Sequence, residues 1–306
     1  MLETLSRVAV FFGFIALGAL LVRLKRLDQS GLNGLSAYFY WLAFPCWLLV
    51  SFSRLPPLDS GHAFVLAVYV VAMLLAALIA VIIMRLFGGD RSHVLAAGMA
   101  ALINNSAFLG VPVVASLFGP KVMVVGPLIV AADFLVLFSI GCAALAKASG
   151  HTLREAMAHT AKNPTVIGAA LGVILMSLGA HFPPALDAAL DMLGKSGPPV
   201  ALVALGGMLG LMPAPSLIRP DRLSMCAIAG KILLAPSLVA LMLYLLRVDA
   251  LTFRVCVFLS ATPTAVSVFV QTRMYDFWSE GAARTVAQST LISLFTLSGL
   301  ALILSI

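Results

Sequence analysis

Asn104-Asn105-Ser106-Ala107-Phe108-Leu109-Gly110-Val111-Pro112-Val113-Val114 decides how this chain is read. Two adjacent amides, a glycine and a proline stand in the middle of an apolar run long enough to cross a bilayer. In hydrocarbon an unpaired polar group costs several kcal/mol. Such a break is tolerated only where protein or a water-filled cavity surrounds it, and it is the usual form of a binding site in a secondary transporter.

The rest of the sequence supports a membrane setting. Of 306 residues, 62% are hydrophobic and 10% charged, against roughly 25% charged in soluble domains. Apolar runs of about 20 residues, the length that spans the hydrocarbon core as a helix, recur almost to the last residue, so the chain reads as an all-α polytopic membrane protein with no soluble domain. The first run is read as a transmembrane helix rather than a signal peptide, because its cluster Arg23-Lys25-Arg26 follows the apolar stretch. Cys46, Cys142, Cys226 and Cys256 fall within apolar runs without metal or redox spacing. The five histidines fall at span ends or in loops, again without metal spacing. The formal charge of +7 is dispersed over short loops, which reports topology rather than nucleic acid.

Ten spans are predicted, near residues 5–22, 33–52, 63–87, 93–118, 121–146, 163–180, 198–212, 223–246, 252–274 and 285–305. The seventh opens on Pro198-Pro199, and the preceding 185–195 is either its polar extension or an interfacial helix. Counted over alternate connections, twelve Lys and Arg lie on one side and six on the other. The positive-inside rule then puts both termini outside and the 147–162 linker in the cytoplasm. That linker separates residues 1–146 from 163–306, five spans each. An odd number of spans per half inverts the second half relative to the first, so two inverted five-helix repeats are expected. The fourth span breaks at 104–112 and its counterpart, the ninth, at Ser260-Ala261-Thr262-Pro263-Thr264-Ala265-Val266-Ser267. Interrupted segments at matching positions of two halves point to a transporter site.

Where a chain resumes as a helix after a break, its free N–H groups and positive dipole end favour an anion, a carboxylate above all. The expected substrate residues are Asn104, Asn105, Ser106, Gly110 and Pro112 at the first break and Thr262, Pro263 and Thr264 at the second, with Gln271 two turns further on. A proline kink stapled by amides is the plainer alternative. Asp133, deep in the fifth span, is a candidate ion-coupling residue, as proton carrier or cation ligand, or else a structural partner. Lys231 lies near one end of the eighth span and is read first as snorkelling to the interface, with an ion pair to Asp133 as the alternative that spacing does not support. No nucleophile motif, zinc motif or phosphate loop is present, so neither an enzyme nor a cofactor is indicated.

These residues resemble the auxin efflux carrier family, which includes the plant PIN-formed carriers and bacterial members. The stretch Asn104 to Pro112 looks like its fourth-helix motif. Thr262 to Gln271 through Tyr275, with Ser289 to Ser293, is similar to its C-terminal signature. Leu193 to Leu202 with Leu205 to Leu209 resembles its seventh-helix pattern. The resemblance implies a ten-helix fold of two inverted five-helix repeats, a scaffold part, and a transport part whose broken fourth and ninth helices cross. It also implies a homodimer and an organic-anion substrate, auxin in plants and malate or malonate in some bacterial relatives. Two departures stand out: Val268 occupies a position where plant members carry proline, and the long hydrophilic loop is here only 147–162.

The expected function is therefore a secondary transporter of a small carboxylate in a bacterial cytoplasmic membrane, working by alternating access and driven by an ion gradient, with proton or sodium as candidate coupling ion, or by the substrate's own gradient. The rival reading is a cation-coupled symporter or antiporter of the bile-acid or sodium/proton exchanger type with Asp133 as ion ligand. A non-transporting membrane receptor is a third.

Overall fold

The computed structural model describes residues 2–55, 60–119, 122, 125–211 and 221–305. The described chain is helical apart from its connections. In order the helices are α1 (Leu2–Arg23), α2 (Gln29–Ser53), α3 (Ser60–Leu86), α4 (Arg91–Leu102), α5 (Val111–Phe118), α6 (Gly126–Ala148), α7 (Leu153–Ala161), α8 (Pro164–Leu178), α9 (Pro184–Leu211), α10 (Arg222–Leu245), α11 (Ala250–Ser260), α12 (Val266–Met274) and α13 (Ser279–Ser305). Among the described residues four helices, α2, α3, α6 and α10, are long and apolar enough to cross a membrane, and α13 makes a fifth if its bent halves count as one span. The expected start of the fifth span at Lys121, the end of the seventh at Met212, and Arg219 lie outside the described residues.

Local sequence sets the helix starts. Asp28, Asp90, Asn163, Asp221 and Asp249 each cap a helix, the side chain accepting from the N–H of Gly31, Ser92, Thr165, Ser224 and Thr252 at 2.8–3.0 Å. The 147–162 linker is not bare loop: it carries α7, opened by a capping box between Thr152 and Glu155. α8 ends on Gly179 at φ +62°, a left-handed cap. Single π turns interrupt α2 at Phe39–Ala43, α6 at Asp133–Leu137 and α10 at Gly230–Leu234. Such turns recur at functional sites, and two of these three carry the intramembrane charges.

One expectation needs correction. Pro198 and Pro199 do not open a helix; both lie inside the continuous α9, so residues 185–195 are its polar extension. Prolines persist within helices that neighbours support, and α9 is closely backed. A Cβ at Gly194 would stand 2.7 Å from the Trp47 backbone, and one at Gly206 would stand 1.9 Å from the Ile15 carbonyl oxygen.

Glycines set the packing of the scaffold. α1 lies on α9, where Gly18 approaches the Val203 carbonyl and Gly206 and Gly210 approach Ile15 and Ala19. α8 lies on the second half of α2, where Gly168 and Gly172 approach the carbonyls of Pro45 and Leu49. Both α8 and α9 present glycines four residues apart, the small-residue spacing that brings membrane helices into backbone contact.

Candidate functional site: the crossing of two broken helices

α4 stops at Leu102 because Ile103 turns extended (ψ 122°), and the chain resumes through a π turn, Ser106–Gly110, into α5 with Pro112 in its first turn. There the proline lacks only an N–H that a helix start leaves unpaired. α11 stops at Ser260, and α12 begins after Pro263 with Ala265 as a cap that offers no side-chain acceptor. The two gaps meet. Asn104 and Thr264 form an isolated antiparallel bridge, Asn105 N–H donates to the Pro263 carbonyl at 2.9 Å, and Ala265 N–H donates to the Ile103 carbonyl at 3.1 Å. Each break thus satisfies backbone groups that the other leaves open, which is how non-helical backbone persists at membrane depth. Gly110 makes the approach possible, since a Cβ there would lie 2.5 Å from a Leu259 methyl and 3.0 Å from the Thr262 methyl.

A polar cluster surrounds this bridge. Asp133 and Asn104 are each 1% exposed, while Ser106 and Lys231 are fully buried. The Asp133 carboxylate accepts from Ser106 Oγ at 2.5 Å, Tyr69 OH at 3.0 Å and Asn104 Nδ2 at 3.2 and 3.3 Å. Asn104 Nδ2 also donates to Tyr69 OH at 2.7 Å. Lys231 Nζ donates to Asn104 Oδ1 and, at 3.0 Å, to the carbonyl of Ser260. The snorkelling reading of Lys231 is overturned: its ammonium sits at the C-terminal, negative end of α11, whose carbonyls the break leaves without helical partners. Asn104 links the cation to the carboxylate, so buried charge is balanced across one amide.

The remaining expected residues fall as follows. Asn105 is 5% exposed with its Oδ1 buried and unpaired. Thr262 Oγ1 donates back to the Leu259 carbonyl at 2.7 Å, and Thr264 Oγ1 reaches across to the Ala100 carbonyl at 2.8 Å. Pro112 is placed by its backbone alone; its side chain lies outside the described ones. Gln271 stands apart from the crossing, its Oε1 accepting from Asn163 Nδ2 at 3.1 Å. Sequence reasoning missed Tyr69, the Ser260 carbonyl and the donation from Thr264 N–H to Ser289 Oγ at 3.2 Å. One signal was present: Tyr69 and Lys231 are each the tenth residue of their helix, α3 and α10.

An all-helical membrane protein with paired breaks at its centre, and with polar groups gathered there, is built to pass a solute rather than to transform one. Comparison with known proteins agrees. The family model described as "Membrane transport protein" matches in two segments, residues 5–151 and 147–301. A protein of Rhizobium meliloti (strain 1021), named "Putative malonate transporter", is 28% identical over 308 residues that cover 98% of this chain and 95% of its own length. With nearly the whole chain matched, it belongs to the membrane transport protein family of auxin efflux carriers, transporters rather than enzymes.

Proposed function

We propose that the protein is a secondary transporter of a small organic carboxylate, with the substrate bound at the crossing of the fourth and ninth spans. The observation that carries this reading is the pair of unused groups there. Asn105 Oδ1 and, in the first turn of α12, Ser267 Oγ are buried without a hydrogen-bond partner. A buried polar atom left open calls for a ligand or water. The Asn105 amide presents either edge by turning over, so its NH₂ can meet a carboxylate. The uncapped start of α12 adds the positive helix end that favours an anion. The relative named for malonate supports a dicarboxylate within this class.

The inverted-repeat architecture, residues 1–146 against 163–306 with 147–162 between them, is part of the same proposal. It is supported by the division of the family match near 147–151. It is supported also by packing: the first span lies on the seventh and the sixth on the second, the two pairs exchanging under a swap of halves. With ten spans and the basic loops inside, both termini face outward. A homodimer, which the family resemblance implies, completes the proposal; its test is the mass of the purified protein in detergent.

Asp133 belongs to the structure of the crossing. The exchanger reading needs its carboxylate open to an ion, whereas three side chains already donate to it and Lys231 balances it through Asn104.

The decisive experiment is flux of malonate, malate and indole-3-acetate into proteoliposomes under separately imposed proton, sodium and voltage gradients. Saturable uptake of one acid is expected, lost in Asn105→Ala while the variant remains folded. Unchanged uptake by that variant removes the crossing as the binding site.

A further inference from the structure

Two cavities are lined by the resumed halves of the broken helices, and the same helix runs past both. One, of about 310 Å³, lies between the C-terminal end of α2 with Trp47, Ser51 and Arg54, the first break with Ala107 and Val111, and Val130 of α6. The other, of about 430 Å³, lies between the N-terminal end of α2 with Gln29 and Asn33, Met208 of α9, and Arg273 and Ser279 at the far end of α12 and the start of α13. From Ser36, which lines the second, to Ser51, which lines the first, a helix rises roughly 22 Å at about 1.5 Å per residue. The cavities therefore open at opposite ends of a spanning helix, each between α2 and the resumed half of one broken span.

Each cavity carries one arginine. Arg54 is held by α9: Nη2 donates to Asp187 Oδ2 at 2.5 Å and Nη1 to Asp191 Oδ1 at 3.2 Å. Its hydrogen bond to Asp187 raises the already high pKa of the guanidinium, so it is a cation at every working pH. Arg273 donates through Nη2 to Asn33 Oδ1 and through Nη1 to Met208 Sδ at 3.2 Å, while its Nε is buried without a partner. Asp276 lines the same cavity. A guanidinium presents a planar fork of donors that matches a carboxylate.

We propose that Arg54 and Arg273 are paired reception residues for the substrate carboxylate, one in each vestibule of the pathway, and that Asp187 and Asp191 occupy the Arg54 fork in the substrate's absence. This rests on the carboxylate-transport reading. Arg54 follows α2 and Arg273 lies in the last turn of α12, and each lines a cavity that the resumed half of a broken helix also lines, so an anion leaving one vestibule meets a guanidinium again in the other. The arginine of the less basic side, Arg54, faces outward, and Arg273 faces the cytoplasm.

The test is initial uptake of radiolabelled malonate by right-side-out and inside-out membrane vesicles carrying wild-type, Arg54→Gln or Arg273→Gln protein. Loss of a charge-assisted bond predicts a KM raised roughly tenfold or more. That rise should appear for Arg54→Gln at one face and for Arg273→Gln at the other, with less than about a twofold change at the opposite face. Unchanged KM at both faces in both variants overturns the assignment, and so does equal loss at both faces. Where Arg54→Gln fails to fold, the double variant Asp187→Asn with Asp191→Asn frees the fork and should lower KM at the Arg54 face severalfold; an unchanged or higher KM there overturns it. A folded wild-type protein that moves none of the acids in either orientation removes the substrate reading instead, and the reception role with it.

Discussion

Lys231 stays buried because three features meet at its ammonium: the open carbonyl of Ser260 at the end of α11, the Asn104 carbonyl oxygen, and the Asp133 carboxylate beyond that amide. Removing one partner of a buried charge pair costs about 3–5 kcal/mol, whereas removing both together costs far less. Asp133→Asn and Lys231→Met should therefore each lower the thermal unfolding temperature in detergent sharply. The double variant should recover a good part of the loss; a double variant as unstable as the sum of the two would mean that the groups act separately. Asp133 and the amides of 104–105 were conspicuous in the sequence because polarity inside an apolar run has few explanations. Lys231 was misread for a physical reason: nine positions from a span end, its four-carbon stem reaches an interface in one dimension, and only the fold brings the broken end of α11 alongside. Tyr69 was marked only by its place, tenth in α3 as Lys231 is tenth in α10, since a tyrosine in an apolar span is ordinary until its hydroxyl is given a carboxylate.

At the level of helices, backbone approach replaces the apolar driving force that lipid removes. Gly206→Val would drive carbon into the Ile15 carbonyl, 1.9 Å from the first added atom. It should separate α1 from α9 at a cost of about 1–3 kcal/mol or more, read as a lower unfolding temperature with α-helical circular dichroism retained. Gly110→Ala meets a movable Leu259 methyl and the fixed wall of the second break. It should leave the protein folded and slow turnover more than it changes KM, as expected if the crossing must shift during transport. Both breaks were legible because glycine, proline and paired amides cannot continue an apolar helix silently. α9 was not, since Pro198-Pro199 reads locally as a start; the backing that lets the helix run through it comes from α1 and α2, far away in sequence.

For the molecule as a whole, the charge balance inside the crossing bears on energetics of transport. With Asp133 already matched by Lys231 through Asn104, replacing sodium by choline on both sides of a proteoliposome should leave malonate uptake within about twofold; a collapse of uptake would restore the exchanger reading. Membrane class, the two breaks and the family were all within reach of the sequence. The partnering of helices was not: α1 lies on α9, and α8 on the second half of α2, contacts that no periodicity encodes.

The bridge between the breaks also sets an order of assembly. Thr264 Oγ1 donates to the carbonyl of Ala100, 164 residues earlier, and in the same late segment the Pro263 carbonyl accepts from Asn105 N–H while Ala265 N–H donates to the Ile103 carbonyl. During synthesis the first broken span must leave the ribosome, and wait at the translocon, long before its partner exists, with open backbone groups that the bilayer interior penalises by several kcal/mol each. Residues 1–146 made alone should be cleared by membrane proteases, and coexpression of residues 147–306 should rescue them, each half acting as the other's chaperone.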